Sequence, residues 1–150
     1  MTPSPDLIEF LAAWEGPAHY LPRQDPCAPG VWDIGYGHVC NKDHAVITEI
    51  QAREILTADV KRFAESVEEQ VDGVVAQNEF DALVSFAFNL GINALAGSTL
   101  LKRIKAGDFD GAANEFGRWN KAGGVVVQGL VKRRAAERAM FEDGLYNFRP

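Results

Sequence analysis

Cysteine is scarce: Cys27 and Cys40 are the two in 150 residues. One possible pair is not a disulfide framework, so a packed core has to hold the chain. No run approaches the roughly 20 apolar residues that cross a bilayer. The opening MTPSPDLIEF has neither a basic leader nor an apolar stretch of the secretory kind, and no signal peptide is expected. Internal repeats and low-complexity segments are absent. Positive charge is thin over residues 1–97, with 5 Lys and Arg against 15 Asp and Glu. That balance, a net charge of −6 and the lack of a base-stacking platform argue against a nucleic-acid binder.

What remains is an ordinary globular composition, 47% hydrophobic and 24% charged. The length suits one domain with room for two lobes. Residues 98–138 reverse the charge balance, with 9 Lys and Arg against 4 Asp and Glu. Such a segment suits a polyanionic partner, and equally a solvated helix face.

The first helix is clearly signalled. Ser4 can cap it, Pro5 suits its first position, and Leu7, Ile8, Leu11 and Trp14 follow helical spacing up to Gly16. Glu15 therefore falls on the last helical turn. Residues 17–30, with four prolines and no period, read as loop. From Val31 the pattern alternates. Trp32, Ile34, Tyr36 and His38 share one face, and the other is bare except for Asp33 among Gly35 and Gly37. His44–Ile47 reads as a short returning strand. Thr48 and Gln51 form a capping box opening a short helix to about Leu56, followed by a connecting helix over residues 58–71 that Asp72-Gly73 breaks. Residues 79–90 are apolar nearly all round, as in a central buried helix. Ser98 and Asp108 cap two short helices, residues 120–128 read as loop, and the last helix runs from Gly129 to about Glu142. The expected class is α+β and predominantly α. Helix 4–15 and a small β lobe over 17–57 precede the connecting helix, and a helical lobe spans 74–150.

Two or three acids facing each other across a glycine-lined gap are what glycoside hydrolysis needs. One carboxylic acid protonates the leaving oxygen, and a second group on the other side of the sugar acts as nucleophile or positions water. Glu15 at a helix end and Asp33 on a strand can supply those walls, and Asp25 lies in the intervening loop. Alone, this is a pattern many folds could show.

The ordered set of motifs is more specific. WEG, then GVWDIGYGH, then NEFDALVSFAFNLG, STLLKRI, EFGRWNKAGG and GLVKRRAAERAMF resembles the phage-type lysozymes, or endolysins, over roughly residues 7 to 144. The resemblance implies a small β-hairpin lobe and a helical lobe with a cleft between them. It implies hydrolysis of the β-1,4 bond between N-acetylmuramic acid and N-acetylglucosamine in peptidoglycan, without a cofactor or metal. It implies a monomer made in the host cytoplasm, released through a holin lesion and acting in the periplasm or cell wall during host lysis. A catalytically inactive wall-binding or virion structural module of the same fold is the alternative.

Carried over by motif, Glu15 before Gly16 is the general acid. In the family a Thr directly precedes IGYGH, and an Asp or Cys lies six residues before that Thr. Here those positions hold Asp33 and Cys27. Three readings of the second group stay open: Asp33 as base, Asp25 acting from the loop with Asp33 in support, or Cys27 as in Cys-bearing members. His38 matches the family's His and is read as structural, with Gly35 and Gly37 allowing close packing or close sugar approach. A zinc site from Cys27, Cys40, His38 and His44 fits no standard spacing. Asn89, Trp119, Arg133 and Arg134 are candidate substrate contacts, with Lys132 and Arg138 as further basic candidates. Trp119 equally suits the core, and Arg133 with Glu137 an ordinary helical ion pair.

Overall fold

The computed structural model describes residues 1–26 and 28–150. Helix α1, Pro5–Glu15, begins as the sequence dictates: the Ser4 hydroxyl accepts the Leu7 N–H, Pro5 holds the first turn, and Gly16 ends the helix at φ +80. Leu7, Phe10 and Leu11 face inward. That stripe directs the chain so that Glu15 emerges at a lobe boundary.

The small lobe departs from the expected loop. His19–Gln24 is a strand, β1, paired antiparallel with β2, Trp32–Gly35, which pairs in turn with β3, His38–Cys40. The strand was hidden because the β1–β2 register slips between His19 and Arg23 and because Pro22 lies within it. A bulge destroys the period of two, and an edge strand tolerates proline. The alternating run from Val31 is also not one strand. It turns at Tyr36-Gly37, so Ile34 pairs with His38 across the ladder. Gly35 and Gly37 adopt φ +65 and +88, a conformation side chains disfavour, and that makes the turn. The returning strand is therefore β3. Residues 44–47 are irregular, tied to the sheet where the Ile47 N–H donates to the Tyr20 carbonyl at 3.0 Å.

The two expected helices over 48–71 are one, α2, Glu49–Val71. Its capping box is present, with Thr48 and Gln51 exchanging side-chain and backbone bonds. Thr57 does not interrupt it, because its hydroxyl donates back to the Arg53 carbonyl at 2.9 Å. The helix ends at Asp72, in the left-handed region at φ 50, followed by Gly73. Asp59 therefore lies mid-helix.

The helical lobe packs around α3, Gln77–Leu90, whose Phe80, Ala82, Leu83, Val84, Phe86 and Ala87 are buried. Short helices α4 (Ile92–Ala96), α5 (Thr99–Lys105) and α6 (Phe109–Glu115) follow, and a single 3₁₀ turn, Phe116–Arg118, carries the last of them towards Trp119. Ser98 and Asp108 cap α5 and α6 as expected. Residues expected as loop form a small hairpin of β4, Lys121–Ala122, and β5, Val125–Val126. Gly123 and Gly124, both at positive φ, supply its two-residue turn. Helix α7, Gln128–Asp143, then lies against α3.

Candidate active site

A cleft of about 540 Å³ opens between the lobes. Glu15 lines it from the end of α1 and Asp25 from the loop after β1. The sheet contributes Tyr36, Gly37 and His38. Helix α2 contributes Asp59, Arg62 and Phe63, and the end of α3 contributes Phe88 and Asn89. Phe63 and Phe88 meet edge to face with centroids 5.4 Å apart, forming an apolar seam between α2 and α3.

Glu15 is held from below. Arg133 Nη1 donates to its Oε1 at 2.7 Å, and the Glu15 side chain is 24% exposed. Arg133 is itself pinned, its Nε 3.3 Å from Glu137 Oε1. That same oxygen accepts from the Ser85 hydroxyl at 2.7 Å and from Arg134 Nη2 at 3.0 Å. Arg134 Nε lies 2.8 Å from Glu137 Oε2, and Arg134 Nη2 also donates to Asn89 Oδ1 at 2.9 Å. Burial pushes the Glu137 carboxyl above its ordinary range against the opposing pull of both arginines. It pushes Arg134 down against the pull of Glu137. The guanidinium of Arg134 also rests 5.2 Å from the Phe86 ring centroid.

This network corrects two expected substrate contacts. Arg134 is 1% exposed and Arg133 4%, so neither reaches a ligand in the cleft. They lie on the inner face of α7 because Glu137, one turn on, gives them a buried counter-charge. Trp119 is half-buried and meets Phe86 edge-on at 5.3 Å, packed against the core as its alternative reading expected. Of the other basic candidates, Arg138 binds Glu142 through two 2.9 Å bonds, and Lys132 is exposed and not among the described cleft-lining residues. Asn89 does line the cleft.

Asp33 and Asp25 separate. Asp33 is 5% exposed, accepts Arg23 Nε at 2.9 Å, and is absent from the described lining. Asp25 lines the cleft, and its backbone is fixed where its N–H donates to the Val31 carbonyl at 2.9 Å, closing the neck of the loop. Cys27 lies outside the described residues. The Cys40 thiol is pushed up, first by burial and then by the nearby charge of Asp33, which makes it a poor nucleophile.

His38 Nδ1 and Asp59 Oδ2 are 2.8 Å apart, tying the sheet to α2, and Arg62 closes on the other oxygen of Asp59. Asp59 and Arg62 escaped notice in the sequence, although a signal existed. An acid four residues before the inward-facing Phe63 shares its helix face, and a buried-side acid needs a partner. Among the described residues no cluster of His, Cys, Asp and Glu is arranged to hold a metal ion.

A model of the phage lysozyme family matches residues 12–137. The chain belongs to the phage lysozyme family. It is 50% identical over 115 residues to an endolysin of Bacillus phage B103, an alignment covering 75% of this chain and 44% of that protein. The chain thus spans less than half the length of that relative. Among solved structures, an endolysin from Escherichia coli O157:H7 phage FAHEc1 is 33% identical with a TM-score of 0.84, covering 98% of this chain and 97% of that one. The muramidase domain of SpmX from Asticaccaulis excentricus is 35% identical with a TM-score of 0.83, covering 93% and 96%. The fold is the lysozyme-like α+β arrangement the motifs implied.

Proposed function

We propose that this chain is a muramidase of the endolysin kind, hydrolysing the β-1,4 bond between N-acetylmuramic acid and N-acetylglucosamine in peptidoglycan. One observation carries the reading: two carboxylates from different elements, Glu15 and Asp25, line a single cleft between lobes. The relatives support it, being described as endolysins and as a muramidase domain.

In this reading Glu15 gives its proton to the bridging oxygen as the glycosidic bond breaks. Negative charge then develops on Glu15, and the Arg133 guanidinium already lies 2.7 Å from one of its oxygens. An interaction that strengthens as that charge develops lowers the barrier, because it favours the transition state over the bound substrate. Asp25 supports the oxocarbenium-like sugar from the other side, as base towards water or as nucleophile. Asp33 acts from behind, holding Arg23 on β1 next to the loop that carries Asp25. Asn89 offers its amide to the sugar while its oxygen is engaged by Arg134. Release from the host cytoplasm through a holin lesion, action at the cell wall and a monomeric state belong to the same proposal.

Mass spectrometry of digested peptidoglycan tests it. The expected products are muropeptides with new reducing ends at N-acetylmuramic acid, and none from Glu15→Gln. Release of stem peptides instead, or robust lysis of permeabilised cells by Glu15→Gln, would overturn it.

A further inference from the structure

Most of the basic wall expected on α7 is engaged elsewhere: Arg133 and Arg134 are buried on acids, Arg138 is held by Glu142, and the exposed Lys132 is outside the described cleft lining. The described cleft lining holds three acids, Glu15, Asp25 and Asp59, yet the polymer it takes is itself rich in carboxylates. A polyanion entering such a groove meets repulsion unless a cation faces it. Arg62 is the guanidinium in that lining, and its side chain is 69% exposed.

Its surroundings give it direction. Asp59, one turn back on α2, engages Nη2, and Asp59 is itself braced by His38. A guanidinium has five N–H donors, and this contact takes one side of the fork. Arg62 also lines a second hollow of about 290 Å³, together with Phe63, Ser66 and Ile92. Arg62 and Phe63 line both spaces, so the hollow adjoins the cleft on the α2–α4 side. Its lining pairs one cation with apolar side chains.

We propose that this hollow is a subsite for the peptide stem of peptidoglycan, with Arg62 binding a stem carboxylate and Phe63 and Ile92 receiving its small apolar side chains. The inference rests on the muramidase reading and adds which part of the polymer is recognised outside the sugars. A stem hangs from the lactyl group of N-acetylmuramic acid, so a sugar bound in the cleft can direct its peptide into an adjoining hollow. Arg62 is a specificity residue: it touches the substrate away from the bond that breaks.

The test compares wild type and Arg62→Gln on intact peptidoglycan and on the same material with its stem carboxylates converted to amides by carbodiimide coupling. Wild type is expected to lose about fivefold in kcat/KM on amidation, the scale of one partly exposed charge pair. Arg62→Gln should lose about as much on native material and nothing further on amidation, and Arg62→Lys should recover part of it. Equal amidation losses in wild type and Arg62→Gln would overturn the inference, as would wild-type kcat/KM for Arg62→Gln on native material. Co-sedimentation with intact sacculi reads the contact without catalysis, wild type being retained to higher salt than Arg62→Gln. A wild-type protein that yields no new reducing ends would sink the muramidase reading. The difference in sacculus binding would still uphold or overturn the stem contact.

Discussion

Arg133 donates an N–H to Glu15 at 2.7 Å across 118 positions of sequence, with its own Nε on the buried Glu137. The link joins the last turn of α1 to the inner face of α7, so the geometry of the cleft acid is set by the helical lobe beneath it. A bidentate guanidinium can serve two carboxylates at once, and an ammonium cannot reproduce that fork. Arg133→Lys should therefore reduce kcat by about tenfold to a hundredfold, the scale expected when a reacting group is displaced by about 1 Å. KM should change little, because Arg133 is not exposed to substrate. Steady-state kinetics on solubilised glycan strands would show a KM effect instead if Arg133 bound sugar.

Glu137 is the hub of that network and should dominate stability. Three donors converge on its Oε1, from Ser85, Arg133 and Arg134. Removing the charge leaves the buried Arg134 guanidinium without a counter-ion and Arg133 with Glu15 alone, and breaking a buried pair from one side costs about 3–5 kcal/mol. Glu137→Gln should lose stability on that scale in urea unfolding. Ser85→Ala should lose about 1–2 kcal/mol, as one hydrogen bond to a charged acceptor is lost.

Asp25 and Asp33 should separate by assay. Asp25→Asn is expected to lower hydrolysis by about 10²-fold or more, as loss of a base or nucleophile does. Asp33→Asn breaks the contact with Arg23 inside the sheet and should act mainly on thermal stability. Reducing-end assays and calorimetry on both variants check the assignment. A silent Asp25→Asn with an inactive Asp33→Asn would reverse it.

Asp108 supplies a pH dependence whose sign is fixed. The Gly111 N–H and then Arg103 hold its carboxyl below the ordinary value of 3.8. A carboxyl depressed in the folded state contributes stability above its unfolded value, and that contribution is lost as pH falls through the folded value. The Tm gap between wild type and Asp108→Asn should be full near pH 6 and shrink as pH drops below about 3.8. A gap that grew in acid would contradict the cap.

Much of the molecule was written in local sequence. Ser4, Thr48 with Gln51, Ser98 and Asp108 announced their helices, because a cap is satisfied within four residues and needs nothing distant. The family motifs announced the lysozyme-like fold, and the signals of α1 put Glu15 on its last turn. The small sheet was legible only in part. A bulge and Pro22 erased the period of β1, and the turn at Tyr36-Gly37 made two strands look like one.

The sequence by itself determined which residues could form a helix end, a turn or an acid pair, since those depend on dihedrals and spacing along the chain. The tertiary structure decided which of those residues share a cavity. It turned Asp25 into the cleft and Asp33 onto Arg23, took Arg133 and Arg134 out of solvent to meet Glu137, and left Arg62 at the mouth of a second hollow. Charges choose partners through space. Whether a cation binds substrate or braces an acid is therefore settled only when distant segments are packed together.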